Sequence, residues 1–177
     1  MKTDVITINN LGKGCDEAIA QVEKVAAYNN LSHKDQLQLQ LLTEELMSLA
    51  MSITGEMTAK FWIENEKNHY ELHMTTHTLM DAEKRSLLIS SSSEKKNEAA
   101  NSFLGKIKNM VEEFILSDAN YNHEYEFSNE VLSDLPSNFM TNQEWDGYER
   151  SVLLKTSDGV KVSISGGNVE IIVIKNY

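Results

Sequence analysis

Gln36–Ile53, QLQLQLLTEELMSLAMSI, carries apolar residues at helical spacing. Leu42, Leu46, Leu49, Ala50 and Ile53 recur three or four positions apart, so they form one stripe that another layer must cover. Ser32 supplies a hydroxyl cap upstream, Asp35 stands three positions later as in a capping box, and Gly55 is the stop signal. These signals predict a helix from just after Ser32 to about Thr54. Glu44 and Ser48 lie one turn apart, side by side at the flank of the stripe, while Glu45 points elsewhere.

Upstream, Asp4 to Asn9 alternates as a short strand. A helix follows from about Cys15 to Tyr28, with Asp16 in its cap region and Ala18, Val22, Val25 and Ala26 on its packed face. Gly12-Lys13-Gly14 between them reads as a turn. It lacks the lysine-serine pair of a phosphate loop, and Asp16 and Glu17 bring negative charge to the place a phosphate would occupy.

Downstream, Met57–Glu64 and His69–Thr78 alternate with period two around the polar turn Asn65-Glu66-Lys67-Asn68, which predicts an antiparallel hairpin. Ala59, Phe61 and Ile63 share its apolar face, with Tyr70, Leu72 and Met74 on the second strand. Lys60, Trp62 and Glu64 share the wet face and are the candidate partner-contact residues. Asp81–Ile89 reads as a short helix, and Ser90–Ser93 with Glu94-Lys95-Lys96 as a polar linker or frayed helix. A core helix of about five turns is expected from Ala100 to Ile115, where apolar residues repeat at three and four. A short strand is expected near Tyr125 to Phe127. Ser151–Thr156, Val160–Ser165 and Val169–Lys175 are β-rich runs separated by Ser157-Asp158-Gly159 and Gly166-Gly167-Asn168, so a three-stranded meander closes the chain. The order predicts an α+β, two-layer sandwich in one domain over residues 1–177, with a largely antiparallel mixed sheet and helices on one face.

A length of 177 residues with 41% hydrophobic content and one proline fits a globular fold with its own core. The net charge of −11 is concentrated: Glu112 to Glu149 holds ten acidic residues and no lysine or arginine, leaving 17 acidic against 16 basic residues elsewhere. Phosphate-backbone binding needs a basic surface, so nucleic acid is not expected as a partner. The acidic block suits a basic protein partner instead. No apolar run reaches the roughly 18 residues of a membrane span, and the opening MKTDVITINN lacks the apolar stretch of a secretion signal. A cytoplasmic protein without membrane contact is expected. Cys15, the single cysteine, cannot make an internal disulfide and has no partners for a zinc site.

The helix-borne Glu44 and Ser48, followed by a hairpin, a helix and closing strands, resemble the GHKL (histidine kinase-like) ATPase superfamily. The similarity is strongest from Leu31 to Thr78 and is to the bacterial branch of anti-sigma-factor serine kinases. In that family a glutamate positions water or acts as base, and an asparagine four residues later helps hold magnesium. The resemblance assigns the first role to Glu44 and the second position to Ser48, with ATP and magnesium as the cofactors if the site is retained.

The family's next motif, Asp-x-Gly-x-Gly, is replaced here by His73-Met74-Thr75-Thr76-His77-Thr78-Leu79-Met80-Asp81. Without those glycines the backbone cannot approach a ligand as closely, and the adenine-binding aspartate is missing from its place. Between Leu79 and Phe114 only Gly105 appears, so the phosphate-covering loop is absent too. The expectation is a non-catalytic regulatory or protein-interaction domain on a degenerate GHKL (Bergerat-like) fold, with no cofactor. The alternative is a divergent ATP-binding serine kinase or ATPase of the anti-sigma-factor type.

His69, His73 and His77 are spaced by four, which on a helix would make a metal face. On a strand, residues four apart are about 13 Å apart, so all three cannot reach one ion. They are expected on a solvated polar face, and no metal site is expected. Asp118, Asn120 and Asn122 begin like a calcium loop, but His123 and Asn129 stand where its glycine and bidentate glutamate belong.

Overall fold

Alternation over Thr58–Glu66 and His69–His77 makes two strands whose odd and even residues separate onto two faces, with His73 the one odd residue of the second strand that is buried. In the first, Ala59, Phe61, Ile63 and Asn65 are buried while Thr58, Lys60 and Glu66 are exposed. A computed structural model describes residues 1–55, 58–101 and 152–177. Its elements are β1 (Ile6–Asn9), α1 (Cys15–Tyr28), α2 (His33–Thr54), β2 (Thr58–Glu66), β3 (His69–His77), α3 (Ala82–Ser90), a short 3-10 helix (Glu98–Asn101), β4 (Gly159–Ser165) and β5 (Asn168–Asn176).

The strands form one open sheet in the order β1-β2-β3-β5-β4, and every neighbouring pair is antiparallel. The expected mixed character reduces, among the described residues, to one isolated parallel bridge between Asn97 and Val162. Helices α1 and α2 pack together and lie on one face of the sheet. The core between the layers joins Leu42, Leu46, Leu49 and Ala50 of α2 to Phe61, Ile63, Leu72, Met74, Ile171 and Val173 of the sheet. The fold is α+β, and the stripe predicted on α2 is the side that enters this core.

Both long helices begin as local chemistry dictates. Ser32 Oγ accepts from Asp35 N–H at 3.2 Å, satisfying a donor that the first turn leaves open. At α1 the cap is Gly14 in the left-handed region, not Asp16, and no side chain caps it. Asp16 and Glu17 instead sit in the first turn, where their charge complements the helix dipole. The loop before it is tied by Asn9, whose Oδ1 accepts from Leu11 N–H at 3.0 Å and Lys13 N–H at 3.1 Å.

The β2–β3 turn is tighter than expected. Pairing continues to Glu66↔His69, leaving Lys67-Asn68 as the turn, with Lys67 at φ 56°. Asn65, expected in the loop, pairs with Tyr70 in the strand, and its side-chain amide donates to Asn29 Oδ1 at the end of α1, 3.2 Å away. The β4–β5 turn is Gly166-Gly167, with φ of 57° and 80°, the two positive values that a type I′ hairpin needs.

Residues 152–156 are helical, which corrects the expected strand Ser151–Thr156. Ser157 N–H and its hydroxyl both donate to Leu153 C=O, and Leu153 is buried while Leu154 faces solvent, a helical division of sides. The strand position beside β4 is also filled. Ser93 N–H donates to Val160 C=O at 2.8 Å and Val160 N–H donates back to Ser93 Oγ at 2.7 Å. Four residues on, Asn97 Nδ2 donates to Ile164 C=O at 2.9 Å and its Oδ1 accepts from Ile164 N–H at 2.8 Å. The expected polar linker is therefore a strap along β4. Asn97→Ala would leave both Ile164 groups unpaired, and a loss of about 2 kcal/mol is expected in urea denaturation, discounted for water entry at an edge. A loss below about 0.5 kcal/mol would show that the strap does not hold this edge.

The expected helix Ala100–Ile115, the strand near Tyr125–Phe127, the loop from Asp118 and the acidic block Glu112–Glu149 lie largely or wholly outside the described residues.

Candidate functional site

The two groups of residues singled out in the sequence fall on opposite layers. In α2, Glu44 is exposed and Ser48 is half-buried. Glu45 is also half-buried, with its Oε2 enclosed, so it is the more inward of the two neighbouring glutamates. After β3 the chain returns to the β4–β5 turn and then enters α3. Thr78 N–H donates to Gly167 C=O at 3.0 Å, Leu79 is 86% exposed, and Asp81 caps α3 by accepting from Lys84 N–H at 2.8 Å. The Asp81 carboxylate is thus engaged in helix initiation.

Cys15 is half-buried, and burial together with the charge of Asp16 pushes its thiol pKa up. A thiol kept protonated is a weak nucleophile.

The face of the sheet away from α1 and α2 is built by the register. Trp62 stands opposite His73, Glu64 opposite Glu71, and Lys60 opposite Thr75. On the other side of β3, Glu71 faces Ile174, His73 faces Ile172, and Thr75 faces Glu170. Lys60, Trp62 and Glu64 are therefore on one surface, as their alternation predicts.

Trp62 is half-buried and lies flat on His73, with ring centroids 4.8 Å apart and planes 10° from parallel. Its indole N–H donates to Glu64 Oε1 at 2.9 Å, and Lys2 Nζ reaches the same oxygen at 2.8 Å while sitting 4.7 Å from the indole centroid. The hydrogen bonds from Lys2 and then Trp62 hold the Glu64 carboxyl below the usual carboxylate range. Glu71 is approached by His73 Nε2 at 3.4 Å, His69 Nε2 at 3.5 Å and Lys161 Nζ at 3.9 Å. On the other side of the His73 ring, Nδ1 is 3.4 Å from Glu170 Oε1.

His73 departs from the solvated polar face expected of the histidines. It is 7% exposed beneath Trp62, whereas His77 is exposed and His69 is intermediate. Sequence reasoning tested the histidines only against one another and missed the convergence of Glu64, Glu71 and His73. The signal was present: a hairpin centred on Lys67-Asn68 sets Glu64 opposite Glu71, and period-two alternation puts His73 on the side of Glu71.

Beside this cluster lies an open depression of about 570 Å³, lined in part by Thr7, Lys60, Thr75, His77, Ser163 and Glu170. Its wall is mainly apolar, with hydroxyls, the Lys60 ammonium and the Glu170 carboxylate set into it.

No protein-family model matches this chain, and no curated protein matches it. Among the described residues no helix is long and apolar enough to cross a membrane.

Proposed function

We propose that this chain is a non-catalytic regulatory domain that works by protein contact, on a degenerate GHKL-like fold of the anti-sigma-factor kinase type. The observation that carries the reading is the sheet face bearing Trp62, Lys60 and Glu64. Trp62 is an indole already fixed by stacking and by a hydrogen bond, so little side-chain freedom remains to be lost when a partner covers it. Aromatic anchors ringed by polar groups are the usual centre of a protein contact. The partner is expected to be basic, because the acidic block Glu112–Glu149 carries nearly all of the net charge of −11 and complementary charge speeds encounter.

The case against retained turnover rests on the sequence departures after β3 and on the use of Asp81 as a helix cap. Exposed Glu44 and half-buried Ser48 mark descent from a nucleotide site under this reading, not activity.

Calorimetric titration with ATP and ADP, with and without magnesium, is expected to show no saturable heat up to millimolar nucleotide. Magnesium-dependent binding that vanishes in Glu44→Ala would sink the proposal and establish the divergent kinase or ATPase in its place. Affinity capture by the full chain, compared with Trp62→Ala and Lys60→Ala, is expected to lose a basic partner at least tenfold for Trp62→Ala. Capture unchanged in both variants would remove this surface from the interaction.

A further inference from the structure

We propose that Glu64, Glu71 and His73 form a binding site for a divalent first-row transition ion of the Zn²⁺ type. One donor atom from each of the three residues lies within 4.8 Å of the others. The inference stands on this geometry and does not depend on the face also binding a protein.

The arrangement follows from the hairpin. Glu64 and Glu71 are directly opposed across β2 and β3, and His73 is two residues from Glu71 on the same side. Like charges directly opposed across strands repel. Lys2 and Lys161 relieve this from the outside of the pair, at 2.8 Å from Glu64 and 3.9 Å from Glu71. Beside the carboxylates the third donor is an imidazole, whose neutral form offers a lone pair.

His73 supplies the second observation. It is more than nine-tenths buried, and its Nε2 is enclosed without a hydrogen-bond partner. Glu71 Oε2 is 3.4 Å from that nitrogen, close enough for a charge interaction but outside hydrogen-bonding geometry. The rest of the ring is held. Trp62 stacks on its face, and Nδ1 lies 3.4 Å from Glu170 Oε1. With Nδ1–H directed at the Glu170 carboxylate, Nε2 is left with its lone pair for an ion, the arrangement that orients most metal-binding histidines.

The donor set selects the ion. One imidazole with two carboxylates suits Zn²⁺, Mn²⁺, Co²⁺ or Ni²⁺, whereas Ca²⁺ and Mg²⁺ prefer all-oxygen cages and Cu⁺ prefers sulfur. Bonds of about 2.0–2.1 Å in tetrahedral geometry put donors roughly 3.3–3.5 Å apart, so the carboxylates must close by roughly 1 Å. Glu64 and Glu71 have 40% and 25% exposed side chains, so both can reorient, and Glu64 would exchange its hydrogen bonds to Lys2 and Trp62 for the ion. Three protein donors leave a fourth position for water.

The test uses the full chain carrying Trp145→Phe, so that Trp62 is the remaining indole. Calorimetric titration with ZnCl₂ and fluorescence titration with paramagnetic Co²⁺ are expected to give one ion per chain and saturable quenching of Trp62. His73→Ala is expected to weaken binding at least 100-fold, and Glu64→Gln or Glu71→Gln at least tenfold. Glu170→Gln should cost about tenfold by loosening the imidazole. His33→Ala and His77→Ala should bind as the parent does. Because His73 is buried, the half-exposed Glu64 and Glu71 variants decide the matter if His73→Ala fails to fold. No saturation by millimolar Zn²⁺, equal binding of Mg²⁺ and Zn²⁺, or Zn²⁺ binding untouched by Glu64→Gln and Glu71→Gln would each overturn the proposal, leaving an ion-pair network only.

Discussion

Phe61→Ala is expected to lower the unfolding free energy by about 3–5 kcal/mol, the usual range for removing a fully buried phenylalanine side chain. Phe61 has no exposed surface and lies in β2 between Ile6 of β1 and Met74 of β3, in the core beneath the helical layer. Strand pairing fixes the backbone on both sides, so the neighbours cannot close over the space the ring leaves. For a chain of this size the melting temperature should fall by about 10 °C. Lys60→Ala, one residue away on the exposed face, should change stability by less than about 0.5 kcal/mol. A Phe61→Ala loss under about 1 kcal/mol in urea denaturation would contradict the assignment of this face to the core.

Gly14→Ala is the second large effect, and Gly12→Ala is its control. Both glycines have φ of 84°, where a Cβ costs about 1–2 kcal/mol. At Gly12 an added Cβ would meet nothing within 4 Å, so that backbone term is the whole expected cost. At Gly14 it would lie 2.3 Å from Thr7 C=O oxygen, a backbone atom held in β1. The strand or the start of α1 must move, and overpacking of this kind adds about 1–3 kcal/mol. Gly14→Ala is therefore expected to cost about 2–5 kcal/mol and Gly12→Ala about 1–2 kcal/mol. Equal losses in parallel urea titrations would show that the close approach of strand and helix does not constrain the turn.

Much of this architecture was legible where one local signal sufficed. The extent of α1, the Ser32 cap, the buried stripe of α2 and the β2–β3 pairing follow from periodicity and capping chemistry. The errors came where a distant group decided. Asn65 pairs with Tyr70 while its side-chain amide is received by Asn29, and residues 152–156 are helical, the edge of β4 being taken by Ser93 and Asn97. Nothing in the local sequence announces either partner.

The site was less legible for the same reason. Alternation placed Lys60, Trp62 and Glu64 on one surface, but the burial of His73 depends on Trp62 lying over it from the next strand. Spacing along one strand found three histidines too far apart for one ion. The convergence instead joins two residues of β3 to one of β2, and it becomes visible only when the turn length is known to one residue.

The strap over β4 also limits how this molecule can be recognised. An extended peptide commonly joins a sheet by adding a strand to an open edge, taking its affinity from main-chain hydrogen bonds. At β4 the groups of Val160 and Ile164 that such a peptide would need are already held by Ser93 and Asn97. Recognition at this end must therefore be written in side chains, which makes it sensitive to single substitutions in a way that a backbone-reading partner is not.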